Sequence, residues 1–114
     1  MGKFVITKKP NGNFFFKLKA DNGQTILASE GYSVRINCDN GIASVKANSI
    51  HKERYDKLTA QNGQFYFNLK GSNGKVIGTS EMYETEAARD NGIASVRANA
   101  PEAPVDDQSR YWVE

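Results

Sequence analysis

Asn40-Gly41-Ile42-Ala43-Ser44-Val45-Lys46-Ala47-Asn48 returns 51 residues later as Asn91-Gly92-Ile93-Ala94-Ser95-Val96-Arg97-Ala98-Asn99, changed only where Lys46 becomes Arg97. Sliding the chain against itself by that offset sets Asn11-Gly12 on Asn62-Gly63, Asn22-Gly23 on Asn73-Gly74, Ser29-Glu30 on Ser80-Glu81 and Tyr32 on Tyr83, without a gap. Between positions 11 and 48, 21 of 38 residues match their counterparts, which identifies a tandem duplication. Two independent units of this size would each bury too little apolar surface to be comfortably stable. The duplication therefore predicts one domain over residues 1–109, with repeats of about 1–52 and 53–109 closing over a common core around a pseudo-twofold axis, and a tail at 110–114.

Composition sets the outer bounds. The 114 residues carry 15 basic and 13 acidic side chains, a net charge of +2, which is too mild to imply nucleic acid or a membrane surface by itself. The one cysteine, Cys38, rules out an intrachain disulfide. The start, Met1-Gly2-Lys3-Phe4-Val5-Ile6, shows neither a signal-peptide pattern nor an acylation motif, and no stretch approaches the ~20 apolar residues of a membrane span. A cytoplasmic monomer without a membrane partner is the expectation.

Periodicity then assigns the elements. Lys3 to Lys8 alternates with Phe4 and Ile6 on one side, and Asn11-Gly12 signals a hairpin. In the strand that follows, Phe14, Phe16 and Leu18 point inward, while Phe15, Lys17 and Lys19 point outward. A third strand, Gln24 to Ser29, is expected to turn Ile26 and Ala28 inward. The second copy repeats the scheme: Tyr55 to Thr59, then Phe65, Phe67 and Leu69 inward against Tyr66, Asn68 and Lys70 outward, then Lys75 to Ser80. One covered face and one wetted face is the mark of an antiparallel sheet covered on one side. After Tyr32 and Tyr83 the spacing becomes helical, grouping Cys38, Gly41, Ile42 and Val45, and again Gly92, Ile93 and Val96. Ser33 and Thr85 are the expected N-caps, and Asn48 and Asn99 the stops. A glycine inside a helix costs about 1 kcal/mol against alanine. Gly41 and Gly92 thus imply close approach to the sheet or to the other helix.

The repeated aromatic-x-aromatic-x-Leu-Lys, Asn-Gly, Ser-Glu-x-Tyr and Asn-Gly-Ile-Ala-Ser-Val-Lys/Arg-Ala-Asn motifs resemble the YegP-like family of small bacterial proteins over about residues 3 to 108. The resemblance implies an α+β fold of two β-β-β-α-β units in one sheet with both helices on one face. It further implies C-terminal strands exchanged between the halves, so that the strand from Glu53 to Thr59 serves both. It implies no activity, and Arg110 to Val113 falls outside it.

For function the residues offer three readings. The first is a non-enzymatic interaction module with an open sheet face and an unidentified protein partner, needing no cofactor. The second is single-stranded nucleic acid bound on that face, with Phe15 and Tyr66 stacking bases among Lys17, Lys19, Asn68 and Lys70. The third is a pair of ligand or enzymatic notches at Ser29, Glu30 and Tyr32 and at Ser80, Glu81 and Tyr83. Against that stands a plainer role in turn chemistry and core packing. Cys38 reads as a small buried hydrophobe, and the only histidine, His51, lies in a polar linker.

Overall fold

A computed structural model describes residues 2–109; the tail expected at 110–114 lies outside the described residues. The strands are β1 (Lys3–Lys8), β2 (Phe14–Lys19), β3 (Thr25–Ala28), β4 (Tyr55–Thr59), β5 (Phe65–Lys70), β6 (Val76–Thr79) and β7 (Val105–Asp107). Helices α1 (Arg35–Asn48) and α2 (Glu86–Asn99) each follow the third strand of a repeat. All seven strands form one sheet in the order β4-β5-β6-β3-β2-β1-β7. The repeats meet at the centre, where β3 and β6 pair through Ala28 and Thr79.

The hairpins follow from their side chains. At the first turn Gly12 N–H donates to Lys9 C=O at 2.8 Å, Lys9 N–H donates to Asn13 C=O at 3.0 Å, and Asn11 Oδ1 accepts from Asn13 N–H at 2.9 Å. Gly12 alone takes a left-handed conformation, φ +88°, and Gly63 repeats it at +86°. The loop thus has three residues closed by a glycine bulge, and the asparagine contributes a side-chain acceptor instead of a positive φ.

Each helix crosses the strands instead of returning along them. Helix α1 packs on β2 of its own repeat and on β5 and β6 of the other, and α2 packs on β5 and β3. The strand after each helix therefore starts from the same end of the sheet at which the previous strand finished. For β7 this has a visible result. It reaches the far edge of the first repeat and joins β1 in parallel, pairing Phe4 with Val105 and Ile6 with Asp107, while every other pairing is antiparallel. An antiparallel sheet was the expectation, and the crossing helix is why its last strand departs from it. The exchange happens once, since the counterpart of β7 in the first repeat, residues 54–56, is absorbed into β4 and its approach.

The core is shared by the halves. Phe4 and Phe16 meet edge-on at 5.9 Å, and their counterparts Tyr55 and Phe67 do so at 5.7 Å. Leu18, Leu27, Val45, Leu69 and Val96 are fully buried among them. Of the third strand's inward assignment Ile26 stands, buried in the core, and Ala28 needs correction. A bulge between Leu18 and Lys19 puts Leu27 opposite Leu18 on the helix-covered face and Ala28 opposite Lys17 on the open one, with Ile26 buried in the skipped position. Leu27 fills the axis, where its counterpart is Gly78; a Cβ there would lie 2.6 Å from the leucine. The caps also differ from expectation. Val34, not Ser33, is the N-cap of α1 and offers no side-chain acceptor, while Thr85 Oγ1 accepts from Ala88 N–H at 3.0 Å. Asn48 and Asn99 end their helices by donating to the carbonyls of Ser44 and Ser95, both at 2.8 Å.

Candidate functional site

With both helices on one side, the other side of the sheet is the open face. One row of paired residues crosses it: Asp106, Val5, Lys17, Ala28, Thr79, Asn68 and Asp56. Lys17 and Asn68 are twofold counterparts on this row. Phe15 and Lys19 flank Lys17 along β2, and Tyr66 and Lys70 flank Asn68 along β5.

Because β2 and β5 run in opposite directions, Phe15 and Tyr66 fall on opposite sides of the row, three strand spacings apart. Spacings of ~4.8 Å between strands and ~3.3 Å per residue separate the two rings by roughly 20 Å. The expected candidates are thus on one face, but the two aromatics do not form one stacking platform. Phe15 packs over Gly31, where a Cβ would sit 2.8 Å from the ring, and Lys9 Nζ lies 4.2 Å from the ring centroid. The charges are partly spoken for: Lys70 pairs with Asp56 at 3.0 Å and Lys3 with Asp106 at 2.9 Å, and Thr79 donates to Asn68 Oδ1 at 2.8 Å. Val5, paired with Lys17 and Asp106 on its two sides, is only 5% exposed.

The Ser-Glu-x-Tyr segments lie where the repeats meet. A cavity of about 190 Å³ is lined by Ser29, Glu30, Ser80 and Glu81 together with Ala28, Val76, Gly78 and Thr79. A neighbouring one of about 400 Å³ is lined by Gln24, Thr25, Ile26, Glu81, Met82 and Tyr83. Both serine hydroxyls are committed to the backbone. Ser29 Oγ accepts from Phe16 N–H at 2.9 Å and donates to Glu30 C=O at 2.8 Å; Ser80 Oγ does the same with Phe67 and Glu81 at 3.0 and 2.8 Å. The tyrosines turn to the helix side, bridging Phe14 and Phe65 through their backbones. Tyr32 stacks on Phe16 at 6.2 Å. A Cβ on Gly41 would lie 2.6 Å from the Tyr32 hydroxyl, and one on Gly92 would collide with that of Tyr83. The helix glycines and the tyrosines are therefore one device: the missing side chain admits the phenol. Burial, with Cys38 and Glu30 nearby, raises the pKa of Tyr32, and burial with Glu81 nearby raises that of Tyr83. Cys38 is buried and its thiol is pushed up to about 11, chiefly by desolvation.

Two features escaped the sequence reading. Arg89, the counterpart of Cys38, is 6% exposed, with its guanidinium 5.6 Å from the Phe65 ring and Nε 3.3 Å from Asp90. Asp90 also pairs with Lys57 at 3.2 Å, and Lys57 and Arg89 hold its carboxyl below the usual range. The second is a cavity of about 250 Å³ between α2 and β4, lined by Lys52, Tyr55, Lys57, Asp90, Ile93 and Arg97. The signal for it was the 51-residue offset, which lays β7 on residues 54–56 and leaves β4 with no outer strand among the described residues. Among the described residues, no three His, Cys, Asp or Glu side chains gather as a metal site would need, and no helix is long and apolar enough to cross a membrane.

This is a duplicated α+β module whose two copies build one sheet, half covered by helices and half bare. The chain belongs to the family described as a domain of unknown function, DUF1508, whose model matches it twice, at residues 10–56 and 60–107. It is 50% identical to the UPF0339 protein YegP of Escherichia coli over 95% of this chain and 98% of that protein. It is 46% identical to a UPF0339 protein of Bordetella pertussis over 96% and 99%. Solution NMR structures of Escherichia coli YegP and of a UPF0339 protein from Shewanella oneidensis superpose with TM-scores of 0.90 and 0.91. They cover 95% and 96% of this chain, and it covers 93% and 92% of theirs.

Proposed function

We propose that the protein is a non-catalytic binding module that engages a protein partner through the open sheet face. The observation that carries this is the placement of both helices on one side, which leaves a seven-stranded surface bare. Half-buried Phe15, Tyr66 and Leu58 and exposed Lys17 stand on that surface. A mixed apolar and charged surface of that kind suits a protein interface. The notch serines favour the non-catalytic side of the reading: a hydroxyl that already donates to a carbonyl and accepts from an amide is holding a strand end in place. A nucleic-acid strand fits less well. Touching both aromatics would mean crossing the midline between Glu30 and Glu81, and acidic groups there oppose a phosphate backbone.

The test is a photo-crosslinking amino acid placed at position 17 on the open face or at exposed position 43 on α1, expressed in a bacterial host. Discrete protein adducts from position 17 and none from position 43 are expected. Equal patterns from both, or a salt-sensitive anisotropy shift with mixed single-stranded oligonucleotides, would overturn the reading.

A further inference from the structure

We infer that the outer edge of β4 and the cavity under α2 form a groove for an extended acidic segment of a partner protein, which adds to the sheet in parallel. This surface is separate from the open face, and its occupancy does not depend on that reading.

The molecule contains its own template. At the opposite edge β7 lies on β1, where Phe4 N–H donates to Pro104 C=O and Gln108 N–H donates to Ile6 C=O, both at 2.9 Å. Strand β4 pairs with β5 in the register that β1 keeps with β2, Tyr55 on Leu69 as Phe4 on Leu18. The outward-facing peptide groups of β4 therefore belong to Tyr55 and Lys57. The Tyr55 N–H is used by the turn before it, donating to Lys52 C=O. The Tyr55 carbonyl and both groups of Lys57 face outward, and unpaired strand groups are a template for a further strand.

Side chains specify what kind of strand. Residues equivalent to Val105 and Asp107 would lie opposite Tyr55 and Lys57. Tyr55 and Ile93 give the groove an apolar floor, and Lys52, Lys57 and Arg97 give it three cations against the single carboxylate of Asp90. The Nε of Arg97, which lines the groove, is buried with no hydrogen-bond partner among the described residues. An apolar residue followed two positions later by an acid meets the apolar floor and the cations of the groove, and β7 itself carries that pattern as Val105-Asp106-Asp107. The occupant is a different chain from this one. This chain's β7 is held on β1, with Asp106 bound to Lys3 at 2.9 Å and Asp107 to Arg35 at 2.7 Å. Lys57 on the bare edge also sets two β4 edges against each other, as edge lysines do.

The probe is an end-blocked peptide of this chain's own 103–109 sequence, Ala-Pro-Val-Asp-Asp-Gln-Ser, titrated into the isotope-labelled full-length protein at low salt. Saturable amide shifts confined to the 52–58 and 90–97 segments are expected, at least tenfold weaker when both peptide aspartates are lysines. The Lys52→Glu/Lys57→Glu protein, altered only at exposed side chains, should lose at least tenfold in affinity while its remaining spectrum is unchanged. Shifts centred on Phe4 to Ile6 would mean strand exchange at β1 and would overturn the inference. So would an absence of saturable shifts, or binding that ignores both charge reversals. Concentration-dependent dimerisation abolished by Lys57→Glu would assign the groove to a second copy and equally reject a foreign partner.

Discussion

The flanks of β1 and β4 that face away from their hairpin partners began as copies of one edge and now differ in chemistry. On the β1 side the position of the second apolar inward residue is Ile6, fully buried, and β7 closes over it. On the β4 side the same position is Lys57, exposed and paired with Asp90. The first edge has become core and the second has stayed surface. A single-repeat ancestor forming a symmetric pair would have two equivalent exchanged strands. Fusing the copies removes one of them, because the chain that would have been the exchanged strand must continue as β4. Duplication thus internalises a dimer at the cost of one unfinished edge.

The sharpest way to break this comparison is to remove the cover that only one edge has. Ending the chain after Ala103 deletes β7, baring the sides of Phe4 and Ile6 and the edge groups of β1. The lost apolar burial and hydrogen bonds amount to about 3 kcal/mol, read as a fall in the denaturant midpoint. A truncated chain as stable as the full one would show that β7 is an ornament and that the two edges are equivalent after all.

The helix glycines give the next largest effect and compare the halves directly. Gly92→Ala puts a methyl group into the Tyr83 hydroxyl and is expected to destabilise by about 2 kcal/mol. In a Tyr83→Phe background the same change should cost clearly less without becoming neutral, since the hydroxyl is gone but the ring carbon Cζ still stands 2.8 Å from the methyl position. The coupling is the readout. Gly41→Ala with Tyr32→Phe should repeat it in the first half, and additive effects in either half would disprove the glycine–phenol pairing.

Much of this was legible because the duplication supplied the sequence with its own alignment. Alternation placed Phe16, Leu18, Phe67 and Leu69 inward and Lys17, Asn68 and Lys70 outward, as the register has them. Local pattern failed where one residue was out of phase. Ile26 and Ala28 alternate faultlessly, but a bulge depends on the partner strand and slips the phase by one, bringing Leu27 inward. The cap was misplaced because serine is the better capping residue, although the offset sets Thr85 on Val34. Of the site, the open face could be read from period two. The separation of Phe15 and Tyr66 could not, since it depends on the order β2-β3-β6-β5. The β4 groove was hidden for a similar reason: it is defined by a strand that is missing, and only the position of β7 shows which one.

Smaller differences between the halves can be tested by erasing them. Val34→Thr would give α1 the cap that α2 has, at a residue already half exposed, and should stabilise by about 1 kcal/mol, with Thr85→Ala costing a similar amount. Equal and opposite shifts in melting would show that the two helix starts are interchangeable. The least effect comes from charge at the covered edge. Ser109 and Arg35 hold the Asp107 carboxyl down to about 2. Its folded pKa lies below the unfolded one, so its contribution is whole above the ordinary carboxylate range and fades as pH falls from about 4 toward 2. Asp107→Asn should flatten that part of the stability profile and leave the rest unchanged. If the profile between pH 4 and 2 keeps its slope in the variant, the acid sensitivity belongs to other carboxylates, and the closure of the β1 edge rests on its apolar contacts and backbone hydrogen bonds alone.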